Sequence, residues 1–366
     1  MPKPFVPGER SYHLDAARML LMGLGIPYHV ALQFQDGVGL LGSDDAWSII
    51  GYLATFIHLF RMPAFFLVSG YLAAAVLSNT DGRSWIKSRY LALGIPLLFG
   101  LLALRPIETV GLALLTGGDI TRAALKVHLG HLWFLVALVM MLPFGIVANR
   151  FVKSANHVDT PMIAIAACLM MMISVACAGL ATSIIMGSNI HGKGIIATIV
   201  GGLFQGLPYF GIGMIFMHRH DVACKLTLYS PAANMALMGA TIIYLFVVHR
   251  YAEGVSITVM GGVLALPVTT GILLFCSRRF YRKSAMVEIT TKSAFTVYLV
   301  HHPIVVILSA IFARLPTPWY VDFALICSLT WAASFGIWMT VRNMPLMNVL
   351  LGAVAPRRKA LAYAVR

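Results

Sequence analysis

Charge is scarce in this chain. Of its 366 residues 11% are charged and 59% hydrophobic, and the long apolar runs go far beyond what a soluble core needs. The chain therefore reads as a polytopic membrane protein. Acidic residues are scarcer still, 13 against 27 basic ones, which leaves a net charge of +14. Such a balance resembles a nucleic-acid binder until the positive residues are placed. They fall mostly in short loops of alternate sides, so membrane topology accounts for them and no nucleic-acid partner is expected. The five cysteines, Cys168, Cys177, Cys224, Cys276 and Cys327, lie in or beside apolar runs without a CxxC pair. They read as small buried hydrophobes, which argues against a disulfide framework and a metal cluster, and no metal is expected. A small-residue cleavage site after the first apolar helix, internal repeats and a G-x-S-x-G nucleophile elbow are likewise missing.

What is present is a series of apolar segments, at about 16–35, 56–78, 91–114, 131–149, 161–187, 194–217, 229–248, 255–277, 294–313 and 322–341. The expected fold is all-α: about ten transmembrane helices in a single membrane domain over 1–366, with 342–366 as a tail. With the N-terminus inside, twenty Lys and Arg fall on inner segments and five on outer loops. That bias places both termini in the cytoplasm. The piece Ile49 to Ile57 is too close to the second span to cross separately, and reads as an interfacial or re-entrant helix leading into it.

The first apolar helix, Ser11 to Gln35, carries Asp15, Arg18 and His29. Ionisable groups at that depth are costly and mark a site by default. Arg18 and His29 stand eleven residues apart, almost three turns, so a straight helix presents both on one face roughly 16 Å apart. Pro27 is placed to bend that helix just before the histidine. The plainer alternative makes Arg18 a cytoplasmic flank and His29 an outer cap.

Four further clusters carry polar chemistry inside apolar text. His58 and Arg61 lie one turn apart in the second span, with Ser69-Gly70 further along as a helix-packing point. His128 and His131 open the fourth span beside Trp133, an interface anchor; His131 is the one expected to face a cavity. Tyr298, His301 and His302 stand in the ninth span, ahead of Pro303. Arg83, Lys87, Arg89 and the run from Arg278 to Lys283 form an inner basic set, read as positive-inside bias or as a hold for the phosphates of a cytosolic ligand.

The text LDAARMLLMGLGIPYH resembles the Arg-x10-His signature of the membrane acyltransferase-3 superfamily. IHLFRMPAFFLVSGYL, HLWFLVALV and YLVHHPI resemble its later motifs in the same order, over nearly all of the chain. Within the superfamily the chain is most similar to the branch that succinylates periplasmic glucans. Two positions depart from the pattern: the Arg-x-x-Arg motif is matched at Arg89 but not at Ala92, and Gly130 stands where serine precedes the HLW motif.

The resemblance implies a bacterial inner-membrane O-acyltransferase. It would move an acyl group, expected to be succinyl, from a cytosolic acyl-CoA co-substrate to hydroxyls of an extracytoplasmic glucan, with no permanently bound cofactor. Under it Arg18 and His29 are the catalytic pair, His29 as general base on the acceptor hydroxyl. Asp15, His58, Arg61, His131, Tyr298 and His302 are expected to bind substrate, Arg61 being the cation for a donor carboxyl. Arg89 and Lys87 are expected at the acyl-CoA phosphates. The alternatives are an O-acetyltransferase of another surface polysaccharide or small molecule, and a proton-coupled transporter.

Overall fold

The structure, a computed structural model, describes residues 12–352 apart from 127, 155–158, 189, 191, 220–221, 223–238, 241–242, 244–254 and 281–283. Among the described residues there are helices and no strands. In chain order these are α1 (Tyr12–Gly23), α2 (Gly25–Leu32), α3 (Asp44–Leu77), α4 (Gly82–Phe99), a π-helical turn (Gly100–Leu104), α5 (Arg105–Thr116), α6 (Ile120–Leu125), a 3-10 turn (Gly130–Leu132), α7 (Trp133–Ser154), α8 (Thr160–Gly187), α9 (Lys193–His218), α10 (Val255–Arg279), α11 (Ala285–Phe312), α12 (Trp319–Val341) and α13 (Pro345–Leu350).

Seven of the described helical stretches are long and apolar enough to cross a membrane: 44–77, 82–116, 120–153, 161–187, 193–218, 285–312 and 319–341. The first expected span is instead interrupted at Leu24. Pro27 explains the break, because it has no N–H to give the Gly23 carbonyl and its ring crowds that oxygen. The span expected at about 229–248, and the two chain ends, lie outside the described residues apart from isolated positions.

The piece Ile49 to Ile57 is no separate helix. It belongs to α3, which runs unbroken for 34 residues. At 1.5 Å per residue that is about 51 Å, well beyond a hydrocarbon core of roughly 30 Å. Nothing in 49–57 breaks a helix, and Asp44 and Asp45 in the first turn favour its start.

The chain divides into two compact units. The first comprises Met1–Arg18, Thr55–Ser88 and Trp133–Ser284; the second comprises Met19–Ala54, Arg89–Leu132 and Ala285–Arg366. In the first unit α3 and α9 meet at bare backbone. A Cβ added at Gly70 would stand 1.9 Å from the Phe210 carbonyl oxygen, and one at Gly213 equally close to that of Leu67. Ser69-Gly70 is thus the packing point its small residues suggest. Phe66, Leu67, Leu135, Met141, Phe210 and Ile212 fill the space around it, each fully buried.

The second unit packs α2 and the start of α3 against α11 and α12. Ile26, Val30, Ala31 and Phe34 meet Ala46, Ile50, Ala54, Val305, Phe312 and Ile326 in one apolar core.

Candidate active site

Two irregular turns build the site in the second unit. After Phe99 the chain takes one π turn, and the Arg105 N–H bonds to the Gly100 carbonyl five residues back. Such a turn shifts the helical register, and π turns recur at functional sites. Behind it Arg105 and Glu108 follow one turn apart, 2% and 4% exposed. The second turn is at Gly130, whose φ of +51° is a left-handed backbone that favours glycine. A Cβ there would stand 2.6 Å from the Arg105 guanidinium carbon, so the missing side chain is the space the arginine occupies. His131 follows at once and is buried.

Arg105 donates to the carboxylate of Glu108 and to the ring of His128. Glu108 in turn accepts a hydrogen bond from His302 Nδ1 at 3.0 Å. A carboxylate can only accept, so Nδ1 of His302 carries a proton. The same reasoning fixes two neighbours. His131 Nε2 donates to the Leu299 carbonyl at 3.2 Å, and His301 Nδ1 to the carbonyls of Tyr298, at 2.8 Å, and Val297, at 3.1 Å. His131 Nδ1 is buried and meets no hydrogen-bond partner among the described residues. The Tyr298 hydroxyl donates to the His131 carbonyl at 2.8 Å and pins the turn.

His29 joins this group from α2. Its ring centroid lies 4.9 Å from that of His302, 5.3 Å from His301 and 6.4 Å from His131. Four imidazoles, a carboxylate and a guanidinium thus share one largely buried volume.

Glu108, His131 and His302 each offer a donor atom within 4.8 Å of the others, close enough to test for a metal. A metal lies near the plane of every imidazole it binds. His131 and His302 are instead stacked at 13° with centroids 4.8 Å apart, and the carboxylate already faces Arg105. The set suits proton transfer and the binding of hydrogen-bond donors such as hydroxyls.

The family model described as an acyltransferase domain, acyltransferase-3, matches residues 11–339, which include every side chain of this cluster. The chain belongs to the acyltransferase-3 family, and it is an acyltransferase. Among its curated relatives is glucans biosynthesis protein C of Escherichia coli strain K12, 26% identical over 83% of this chain and 84% of that protein. The protein of the same name from Shigella dysenteriae serotype 1 stands at the same identity and coverage. That from Escherichia coli O139:H28 is 27% identical, again over 83% of this chain and 84% of the relative. No solved structure matches.

Of the acyltransferase residues expected from sequence, His29, His131, Tyr298 and His302 are brought together here. Asp15 and Arg18 lie one turn apart on α1, and with His58 and Arg61 of α3 they belong to the first unit. The division between units falls directly after Arg18. Lys87 and Arg89 are exposed on α4, on either side of the third division, which falls after Ser88.

Sequence reasoning missed Arg105, Glu108 and the place of His301. Arg105 and Glu108 both lie inside the apolar segment expected at about 91–114. The available signal was an opposite charge pair at i, i+3 within text otherwise fit for lipid, where ionisable residues come in pairs.

Proposed function

We propose that this acyltransferase moves an acyl group, with succinyl as the favoured one, from a cytosolic acyl-CoA to a hydroxyl of an extracytoplasmic glucan at the bacterial inner membrane. The observation that carries this reading is the position of His29, ring to ring with His301 and His302 and beside His131, whose buried Nδ1 meets no hydrogen-bond partner among the described residues. Buried acceptors call for donors, and a sugar hydroxyl supplies one. The glucan enters from the names of the relatives, and the succinyl donor from the branch that the motifs resemble.

In this reading His29 takes the hydroxyl proton as the oxygen attacks the thioester carbonyl. The new C–O bond forms, the C–S bond breaks and its electron pair leaves on sulfur. The imidazolium then returns the proton to the thiolate, giving an ester and free CoA thiol. Arg18 takes a phosphate or carboxylate of the donor, and Lys87 and Arg89 the CoA phosphates. Arg61 keeps its assignment to the donor carboxyl, because Arg105 is already committed to Glu108.

Mass spectrometry of the cell's glucans with and without this protein tests the reading. A succinyl mass increment that vanishes with the protein supports it. An acetyl increment reassigns the donor, and unchanged glucans remove the acceptor. His29→Ala at normal protein level should abolish transfer of labelled acyl group to isolated glucan.

A further inference from the structure

At one end of the second unit, where α11 stops at Phe312 and the chain turns into α12 at Trp319, lies a cavity of about 290 Å³. Three of its walls are aromatic, Phe34, Phe312 and Trp319, and its polar groups are Ser43, Thr317 and Asp322. The volume exceeds what one or two waters need. The hollow is more open than enclosed and its exposed lining is more polar than apolar, which suits a small polar ligand.

Asp322 is the informative residue. It is 5% exposed, and among the described residues its side chain has one hydrogen-bond partner, the Thr317 hydroxyl. A carboxyl group offers up to about four lone-pair sites, so most of the capacity of Asp322 is left for donors inside the cavity. A buried polar group with one hydroxyl partner calls for further partners from a ligand or solvent. A ligand with several hydroxyls on one edge and an apolar C–H face on the other satisfies both the carboxylate and the indole. A hexose ring has that chemistry.

The spacing decides between a single small acceptor and a chain. His302 and Phe312 are ten residues apart on α11, about 15 Å along the axis. A ring held against Phe312, at the far side of the cavity, is about three turns of α11 from His302, so another unit of the same polymer reaches the histidines. The connecting turn, with Arg314, Leu315 and Pro316 exposed, leaves the cavity mouth at the end of the helices.

We propose that this cavity is a remote subsite that holds a hexose unit of the acceptor glucan while a different unit reacts at the histidine cluster; the proposal rests on the glucan reading above. Trp319 stacks on the ring face, and Asp322 and Ser43 bind its hydroxyls. The subsite would make longer acceptors better substrates than short ones.

The test compares kcat/KM for acylation of a glucan oligosaccharide of several units with that for a single glucose acceptor, using labelled acyl-CoA and purified protein. Asp322→Asn and, separately, Trp319→Ala should lower the long-to-short ratio by about tenfold, the worth of one good stacking or charge-assisted contact. If both acceptors lose the same factor, the residues only support the fold and the subsite is wrong. An unchanged ratio in both variants means a solvated helix start only, and overturns it too. If the unaltered protein acylates no glucan at all, the glucan reading fails and takes the subsite with it.

Discussion

His302 presents its Nδ1 to Glu108 Oε2 at 3.0 Å, across 194 residues of chain, and the same oxygen receives the guanidinium of Arg105. The carboxylate thereby orients the ring of the histidine, whose centroid lies 4.9 Å from that of His29. A negative charge fixed in this way also favours an imidazolium that forms in passing.

Replacing Glu108 by Gln keeps the shape and removes the charge. Acyl transfer should fall by about 10²-fold or more in kcat, the lower range for a positioned acid–base group. Initial rates with labelled acyl-CoA at matched protein level measure this. Glu108→Asp should restore part of the rate, a rescue that a purely structural role would not show.

Arg105 and Glu108 form a buried pair, so losing one partner is costlier than losing both. Arg105→Met alone should destabilise by about 3 kcal/mol, because it leaves a buried carboxylate with its main cation gone. The double change with Glu108→Met should recover much of that stability while remaining inactive. Thermal unfolding in detergent, scored with transfer assays on the same samples, separates the two effects.

Gly130→Ala meets two obstacles: a left-handed backbone and the Arg105 guanidinium carbon 2.6 Å from the new methyl. The guanidinium must move, and Glu108 and His302 follow. Misplacement of a catalytic group by about 1 Å can cost 10²-fold. Transfer rates should drop by about that factor, with KM for the donor less affected than kcat.

In the first unit, Gly70→Ala and Gly213→Ala should each separate α3 from α9. Overpacking of this kind costs about 1–3 kcal/mol, and here the neighbour is backbone that cannot swing away. Because the two glycines serve one contact, the double variant should lose less than the sum of the singles. Melting temperatures of the four proteins in detergent test this.

The helical class, the presence of long apolar runs and the small-residue pair Ser69-Gly70 were legible from the chain, because hydropathy and local sterics act over neighbouring residues. His29, His131, Tyr298 and His302 stood out for the same reason: polar groups inside text fit for lipid need a partner wherever the helix ends up. Pro27 announced the interruption at Leu24, since a missing N–H is a property of the residue itself. The unbroken α3 was missed because spacing from the next span was weighed above the absence of any breaker in 49–57.

What tertiary structure alone decided is who partners whom. Helical periodicity tells which side chains share a face, but not which face of another helix lies opposite. Glu108 gained its meaning from His302, far along the chain, and Arg105 from a turn at Gly130 that bares the space it fills. Hydropathy and the motifs marked a helical membrane acyltransferase and most histidines of its cluster; packing decided that a carboxylate and a guanidinium stand behind them, because only packing joins residues that no local period relates.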